Sequence, residues 1–485
     1  MERLTKIGKL PRLSSSEIKS SRLGLGFEKL DRAVFDPERA YDKVAATGAK
    51  WARLQSGWAR CEREEGVYDF AWLDKIVDNL ASRGVEPWIC LCYGNPIYTE
   101  LAVPVFGAVG CPPISTEREM NAWLAYVRAT VEHFKDRVRY FEIWNEADNY
   151  YSWRHSEGEE ATPERRLQNA EEYGRFSIAT SIAVKEIYPE AKVIGFALGH
   201  ADELEWPNVD LEWVNRALAT GLYKHIDYAS FHTYSLDEGL RRDRAVRFRR
   251  LLKSYNPKIE LIQGEAGAQT RRDGRGAMKG RSWTPEKQTK ALLRGLITDL
   301  AVGVELTSYF STMDMIEALR GRISDKATYL DYGYFGILGC EFDEDGVASG
   351  EYYEKPSYYA YSALASLLHG EAAPCDIPYN LIRLPSRLVN GEDFVGKSLI
   401  VEGFRLDDGR HALIYWNAVD LLTATYEGTA SFEIFGQKSG DINLVDLRDG
   451  SVYELPSEMT EDIGAGGVRL KNLPLTDCPL AILIG

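Results

Sequence analysis

Residues 138–149 read VRYFEIWNEADN. The run from Tyr140 to Trp144 is apolar and strand-like, and it stops at an adjacent amide and carboxylate, Asn145 and Glu146. A strand covered on both faces reads as a nearly continuous apolar run, the mark of a buried parallel sheet. In a parallel barrel the functional side chains gather where the strands end. The stretch therefore predicts a parallel α/β fold with polar groups delivered at strand tips.

The same pattern recurs along the chain. Candidate strands are LGLGF (23–27), KWARLQ (50–55), EPWICLCYG (86–94), RYFEIWNE (139–146), KVIGFALG (192–199), DYASFHTYS (227–235), IELIQGEAG (259–267) and VELTSYFST (304–312). Helical stretches separate them and carry start signals. Thr116-x-x-Glu119 reads as a capping box, and Thr162-Pro163 and Thr284-Pro285 place a cap before proline at the first helical position. Eight strand–helix units predict a (β/α)8 TIM barrel over residues 22–370. A doubly wound open sheet competes, but it usually carries a nucleotide loop; Gly24-x-Gly26 lacks the third glycine and no GxxxxGK[ST] occurs. After KPSYYAYSALASLLHG (355–370) the texture changes to short alternating strands. Asp408-Gly409, Glu427-Gly428 and Asp449-Gly450 read as turns between them. Residues 371–485 are expected to form a small C-terminal antiparallel β-sandwich, with segment 1–21 pairing with it or lying on the barrel.

Bulk composition excludes several classes. Acidic residues outnumber basic ones, 73 to 58, a net charge of −15 that argues against a nucleic-acid binder. No segment approaches the ~20 apolar residues of a membrane span. The first twenty residues show no apolar core of signal-peptide length, and the 7 cysteines are scattered without a CxxC pair. These features lead to the expectation of a cytoplasmic protein with reduced thiols, or of a secreted one had a signal been removed. Only 7 histidines are present, with no HxH or HExxH, so no metal and no cofactor is expected. The 11 Trp, 27 Tyr and 17 Phe serve mostly as core, although such rings also pave sugar sites.

The strand tips supply the candidate site. They deliver Arg53, Tyr93, Asn95, Asn145, Glu146, His200, His232, Tyr234, Glu265, and Tyr309 or Phe310, and Trp58, just past the second strand, is counted with them as a substrate-binding candidate. Two carboxylates stand out, Glu146 after the fourth strand and Glu265 after the seventh. A pair of carboxyl groups across a pocket is the equipment for glycosidic bond cleavage, one protonated and one ionised. Arg53 beside Glu265 would favour its charged form. Each signal has a plainer counterpart: a lone Glu at a strand end is more often a cap or a surface ion pair. Gly264 permits close backbone approach to a ligand. Glu142, within the fourth strand, reads as a buried network member rather than a catalyst. The basic loop RRDGRGAMKGRSW (271–283) reads first as a mobile solvated loop and second as a lid for an acidic or extended substrate. RRDRAVRFRR (241–250) reads as an exposed helix face.

Together these residues resemble clan A of the glycoside hydrolases, retaining enzymes on a (β/α)8 barrel, from Leu23 to about Gly370. Within the clan the sequence is similar to family 39 (β-xylosidase-like) and its neighbours, through WARCEREEGVYDFAWLD beginning at Trp58, CYGNPIY and KPSYYAYSALASLL. The resemblance implies that Glu146, in IWNE, is the acid/base and that Glu265, in IQGE, is the nucleophile. It also matches Arg53 and the His232-x-Tyr234 pair. It implies Asn145 on the sugar 2-hydroxyl and Tyr234 orienting the nucleophile. The clan's strand-eight aromatic is usually Trp, where this chain has Tyr309 and Phe310. The expected function is a retaining β-glycosidase, exo-acting on small glycosides or oligosaccharides, with carbohydrate as partner and neither nucleic acid nor membrane. Alternatives are an inactive sugar-binding barrel, a transglycosidase and, more weakly, a metal-dependent hydrolase. The sugar, the linkage and the oligomeric state are left open.

Overall fold

Eight parallel strands close into a barrel: β1 (Leu23–Gly26), β2 (Trp51–Gln55), β3 (Glu86–Leu91), β4 (Tyr140–Ile143), β5 (Lys192–Leu198), β6 (Tyr228–His232), β7 (Glu260–Ala266) and β8 (Leu306–Tyr309). The computed structural model describes residues 4–156, 162–199, 211–318, 321–383, 386–388, 393–394, 399–436, 442–464 and 466–485. Closure is made by β8 against β1, with Thr307 opposite Leu23 and Tyr309 opposite Leu25. Each strand falls inside the segment that its apolar run predicts, and most stop short of that segment's C-terminal end. The reason is clearest at β4. Trp144 and Glu146 both adopt positive φ, +63° and +52°, so the chain leaves the sheet after Ile143 and the Asn-Glu pair sits on the rim.

The helices start where the caps predict. Thr116, Thr162 and Thr284 each accept a hydrogen bond from the backbone N–H three residues on. Glu119 completes its box one residue early, accepting from the Ser115 N–H at 3.0 Å. The apolar faces of the helices and strands share one large core that includes Trp58, Trp123, Trp144, Trp153 and Trp213, all fully buried.

The C-terminal part consists of two antiparallel sheets sharing a second core around Tyr415, Phe432, Leu470 and Ile482. The N-terminal strand Thr5–Lys9 adds to the edge of the first sheet, antiparallel to Ser451–Glu454. The chain then crosses to the barrel, where the Ser15 hydroxyl donates to the Ala49 carbonyl at 2.5 Å. Asp408-Gly409 and Asp449-Gly450 lie at turns, but Glu427-Gly428 lies inside the strand Tyr426–Ile434. Glu427 pairs with Thr476 on one side and Arg387 on the other, and two-sided pairing overrides the local turn preference.

The helix Pro285–Ala301 ties the two parts together. Lys290 meets Asp477 at 2.9 Å, and Arg294 donates to the Val419 carbonyl at 3.2 Å while pairing with Glu238. The 241–250 stretch is not simply an exposed face, as its charge run suggests. Arg241 and Arg244 are buried, because the helix Glu238–Tyr255 turns them inward with Phe248 and Leu252. Arg241 grips Asp299 at 2.7 and 2.5 Å and donates to the Thr233 carbonyl; Asp299 also accepts from the Thr307 hydroxyl at 2.7 Å. This buried pair thus braces the segment after β6 against β8. Removing one partner strands a buried charge. Asp299→Ala is expected to destabilise the protein by about 3–5 kcal/mol, read as a lowered denaturation midpoint in urea; a loss below about 1 kcal/mol would show that the bracing is dispensable.

Candidate active site

At the C-terminal mouth of the barrel one side chain organises the rest. Arg53, at the tip of β2, has no solvent exposure. Its Nε donates to Glu142 Oε2 at 2.6 Å, its Nη1 to Glu28 Oε2 at 3.1 Å and Glu265 Oε2 at 3.0 Å, and its Nη2 to Asn145 Oδ1 at 2.8 Å. These carboxylates, Glu142 first, hold the guanidinium firmly charged against the opposing effect of burial. Glu142 therefore acts as the buried network member that its place in the strand suggests.

Glu265 is delivered by an irregularity in β7. The register with β6 slips between Gln263 and Glu265, so that Glu265 faces His232. Gly264 makes the slip sterically feasible: a Cβ there would stand 2.3 Å from the Ser230 hydroxyl. One Glu265 oxygen accepts from Arg53; the other accepts from the Tyr234 hydroxyl. A buried cation thus touches one of its oxygens and a hydroxyl donor the other.

Glu146 sits in the opposite environment. Its backbone N–H is held by the Ala197 carbonyl at 2.9 Å, and its Oε1 lies 2.8 Å from His232 Nδ1. Burial, then the nearby Asp148 charge, pushes its carboxyl up to about 8. Burial lowers the His232 imidazole, so the ring is neutral. One proton therefore bridges the pair, carried by the carboxyl or by Nδ1. Neither glutamate is sealed. Their side chains keep 15% and 11% exposure, whereas Arg53 and His232 keep none. One oxygen of Glu146, one of Glu265 and one nitrogen of His232 lie within 4.8 Å of one another. Two carboxyl groups so placed can act on the two atoms of one bond, one giving a proton to the departing atom and the other attacking the atom it leaves.

The remaining strand-tip residues divide. Tyr93 accepts from Gln55 Nε2 at 3.0 Å, and Gln55 also donates to Glu28, so Tyr93 stands behind the Arg53 network. Phe310 packs in a cluster with Tyr234 and Phe335, with the Lys29 ammonium 5.1 Å from its ring centre. Trp58, Asn95 and Tyr309 are not available to a ligand. Trp58 is enclosed between the Tyr98 and Tyr126 rings and spends its N–H on Glu62. Asn95 staples its own loop through the Glu62 carbonyl and the Ile97 N–H. The Tyr309 hydroxyl is spent on the backbone of Ala268. His200 lies outside the described residues.

Four further residues complete the site. Glu28 is buried beside Arg53, and burial pushes it up to about 8. Gln55 links it to Tyr93. Lys29, at φ +61°, and Glu317, in the loop after β8, form a buried pair at 3.1 Å. Glu317 Oε1 has no partner, and its charge acts on both Glu146 and Tyr234. Glu28, directly after GF at the end of the first apolar run, and Gln55, the last residue of the second, had a cue; Lys29 and Glu317 had none.

Gly199 packs against Glu146: a Cβ there would lie 2.4 Å from the carboxyl carbon. Gly199→Ala is therefore expected to push the carboxyl out of place and lower kcat/KM on an aryl glycoside about 100-fold. Circular dichroism should be unchanged, and activity within twofold of the parent would contradict the packing described.

Comparison with known proteins agrees with this architecture. The β-galactosidase model of glycoside hydrolase family 42 matches residues 28–98. A β-xylosidase of Geobacillus stearothermophilus is 26% identical over 178 residues, which is 35% of this chain and 31% of that protein. The chain thus spans under a third of the length of that curated relative. Among solved structures, a family 39 glycoside hydrolase from Bacteroides cellulosilyticus WH2 superposes with a TM-score of 0.64 at 15% identity, over 98% of this chain and 83% of that one. A monomeric β-xylosidase from Caulobacter crescentus CB15 gives 0.56 at 16% identity, over 99% and 97%. The fold is a (β/α)8 barrel carrying a C-terminal antiparallel β region, and it is similar to that of the family 39 glycoside hydrolase and β-xylosidase structures.

Proposed function

We propose that this chain is a retaining β-glycosidase that cleaves by double displacement, exo-acting on small glycosides or oligosaccharides. The observation that carries this reading is the contrast between two carboxyl groups sharing one opening. Glu265 is bound by a buried cation and a tyrosine hydroxyl, while Glu146 is desolvated and pushed up to about 8. Their oxygens approach within 4.8 Å, in line with the ~5–5.5 Å of retaining enzymes and short of the ~6.5–9.5 Å that leaves room for an attacking water.

In this reading the ionised Glu265 attacks the anomeric carbon while Glu146 gives its proton to the departing oxygen. A covalent glycosyl ester on Glu265 results. Glu146, now charged, then takes a proton from water, which attacks the anomeric carbon, breaks its bond to the Glu265 oxygen and releases the sugar with configuration retained. Arg53 neutralises Glu265 between turnovers and holds Asn145 toward the sugar's 2-hydroxyl. His232, neutral and within hydrogen-bond reach, fixes the Glu146 carboxyl. Tyr234 orients the nucleophile by donating to its other oxygen. The β-xylosidase relative supports a xyloside-type substrate, and the family 42 match keeps β-galactosides in the test panel. Glu146, His232 and Glu265 could also face a cation, but the Arg53 guanidinium already supplies positive charge at Glu265.

Glu265→Gln is expected to abolish turnover of nitrophenyl β-xyloside, glucoside, galactoside, arabinoside and glucuronide alike, with the fold intact. Wild-type-like activity in that variant would reject the assignment. Glu146→Gln should slow substrates with poor leaving groups by about 100-fold or more, yet spare formation of the ester from a dinitrophenyl glycoside. Equal losses on both would remove Glu146 as the acid.

The pH dependence has a definite sign. A carboxyl raised to about 8 keeps its proton below that pH and loses it above. The general acid is therefore present across neutral pH, and kcat/KM should fall on the alkaline side near pH 8. A profile already falling from about pH 5, the range of an ordinary glutamate, would contradict the environment described for Glu146.

A further inference from the structure

The basic loop 271–283 begins six residues after Glu265 and carries five cations against one carboxylate, in a chain whose net charge is −15. It packs against the catalytic pocket. Met278 and Trp283 lie in the cluster that holds Tyr234 and Phe310. Gln269 pins the loop by donating to the Arg275 and Ala277 carbonyls, each at 2.8 Å. Gly276 abuts Glu317, with a Cβ there 2.6 Å from its carboxyl carbon. The loop is thus a fixed wall of the mouth, rather than the free solvated segment that its composition suggests.

Its cations are not spent on one another's neighbours. Arg271 is occupied, paired with Asp273 at 2.6 Å and laid over the Tyr334 ring at 4.3 Å. Arg272, Arg275 and Lys279 are exposed and make no ion pair among the described residues. The chain as a whole carries a net charge of −15, which repels an acidic ligand. A local positive wall reverses the field where the substrate enters, and guanidinium groups suit carboxylates because they can bind them through two parallel hydrogen bonds.

We propose that Arg272, Arg275 and Lys279 form a cationic rim that receives the carboxylate of a uronic acid borne by the substrate. The natural substrate is then an acidic oligosaccharide rather than a neutral one. This rests on the glycosidase reading and deepens it. The glycosidic step is unchanged; the rim contributes encounter and orientation. Exposed ion pairs are individually weak, so three of them should give a preference of about tenfold that is sensitive to salt.

The test uses a xylo-oligosaccharide with and without a single glucuronic acid branch. At low ionic strength the ratio of kcat/KM, acidic to neutral, is expected to be about ten. It should fall toward one in ~0.5 M salt, where the screening length is only a few ångströms, and in the triple variant Arg272→Gln, Arg275→Gln, Lys279→Gln. Binding of the same two oligosaccharides to the Glu265→Gln variant, followed by calorimetry, reads the rim without turnover. Tighter, salt-dependent binding of the branched compound is expected there. A ratio at or below one in the parent protein, a ratio unmoved by the triple substitution, or equal binding of the two compounds would each overturn the rim. If the parent cleaves neither oligosaccharide nor any glycoside of the nitrophenyl panel, the glycosidase reading fails, while the calorimetric comparison still decides the rim.

Discussion

A guanidinium removed from water is the constraint on which the site depends. Burying a charge costs several kcal/mol unless neighbours compensate it. Arg53 is compensated by three carboxyl groups and one amide, drawn from the end of β1, from β4 and its tip, and from β7. The same contacts that make the buried cation tolerable hold those elements in register at the barrel mouth. They also decide where protons reside. Acidic groups outnumber cations around Arg53, and the buried Glu28 and Glu146 are both pushed up to about 8. Glu265 touches the cation directly with one oxygen and a tyrosine hydroxyl with the other.

The backbone serves this arrangement at places where it departs from regular geometry. Positive φ at Trp144 and Glu146 ends β4 early and turns the carboxyl over the mouth. Gly264 lets β7 slip against Ser230, and Gly199 leaves room beside the Glu146 side chain. Such conformations cost on the order of 1–3 kcal/mol each and persist where surrounding packing over-determines them. Here the packing is the aromatic core beneath Trp144, with Trp123, Trp153 and Phe176 ring centres within 5.8 Å of it.

The barrel was legible because each strand is a compact apolar run bounded by a helix signal, and all eight runs contain an observed strand. Glu146, Glu265, Arg53, Asn145, His232 and Tyr234 were legible for the same reason: their polarity breaks an apolar run at its tip. Trp58, Asn95 and Tyr309 were misplaced because polarity or aromaticity near a strand end does not reveal direction. Their side chains point into the walls, where neighbouring loops satisfy them. Lys29 and Glu317 were illegible because they lie in irregular segments without periodicity, and only the folded chain brings them together. The inward turn of Arg241 and Arg244 was hidden by a charge run that resembles a solvated face.

The central claim is that Glu265 becomes covalently bonded to the sugar during turnover. The most direct measurement is intact-protein and peptide mass spectrometry after incubation with a 2-deoxy-2-fluoro β-glycoside bearing a good leaving group, which slows release of the ester more than its formation. The expected result is one added fluoroglycosyl mass per chain, located on the peptide containing Glu265. Turnover without any adduct and with inverted product, or an adduct on another residue, would contradict it.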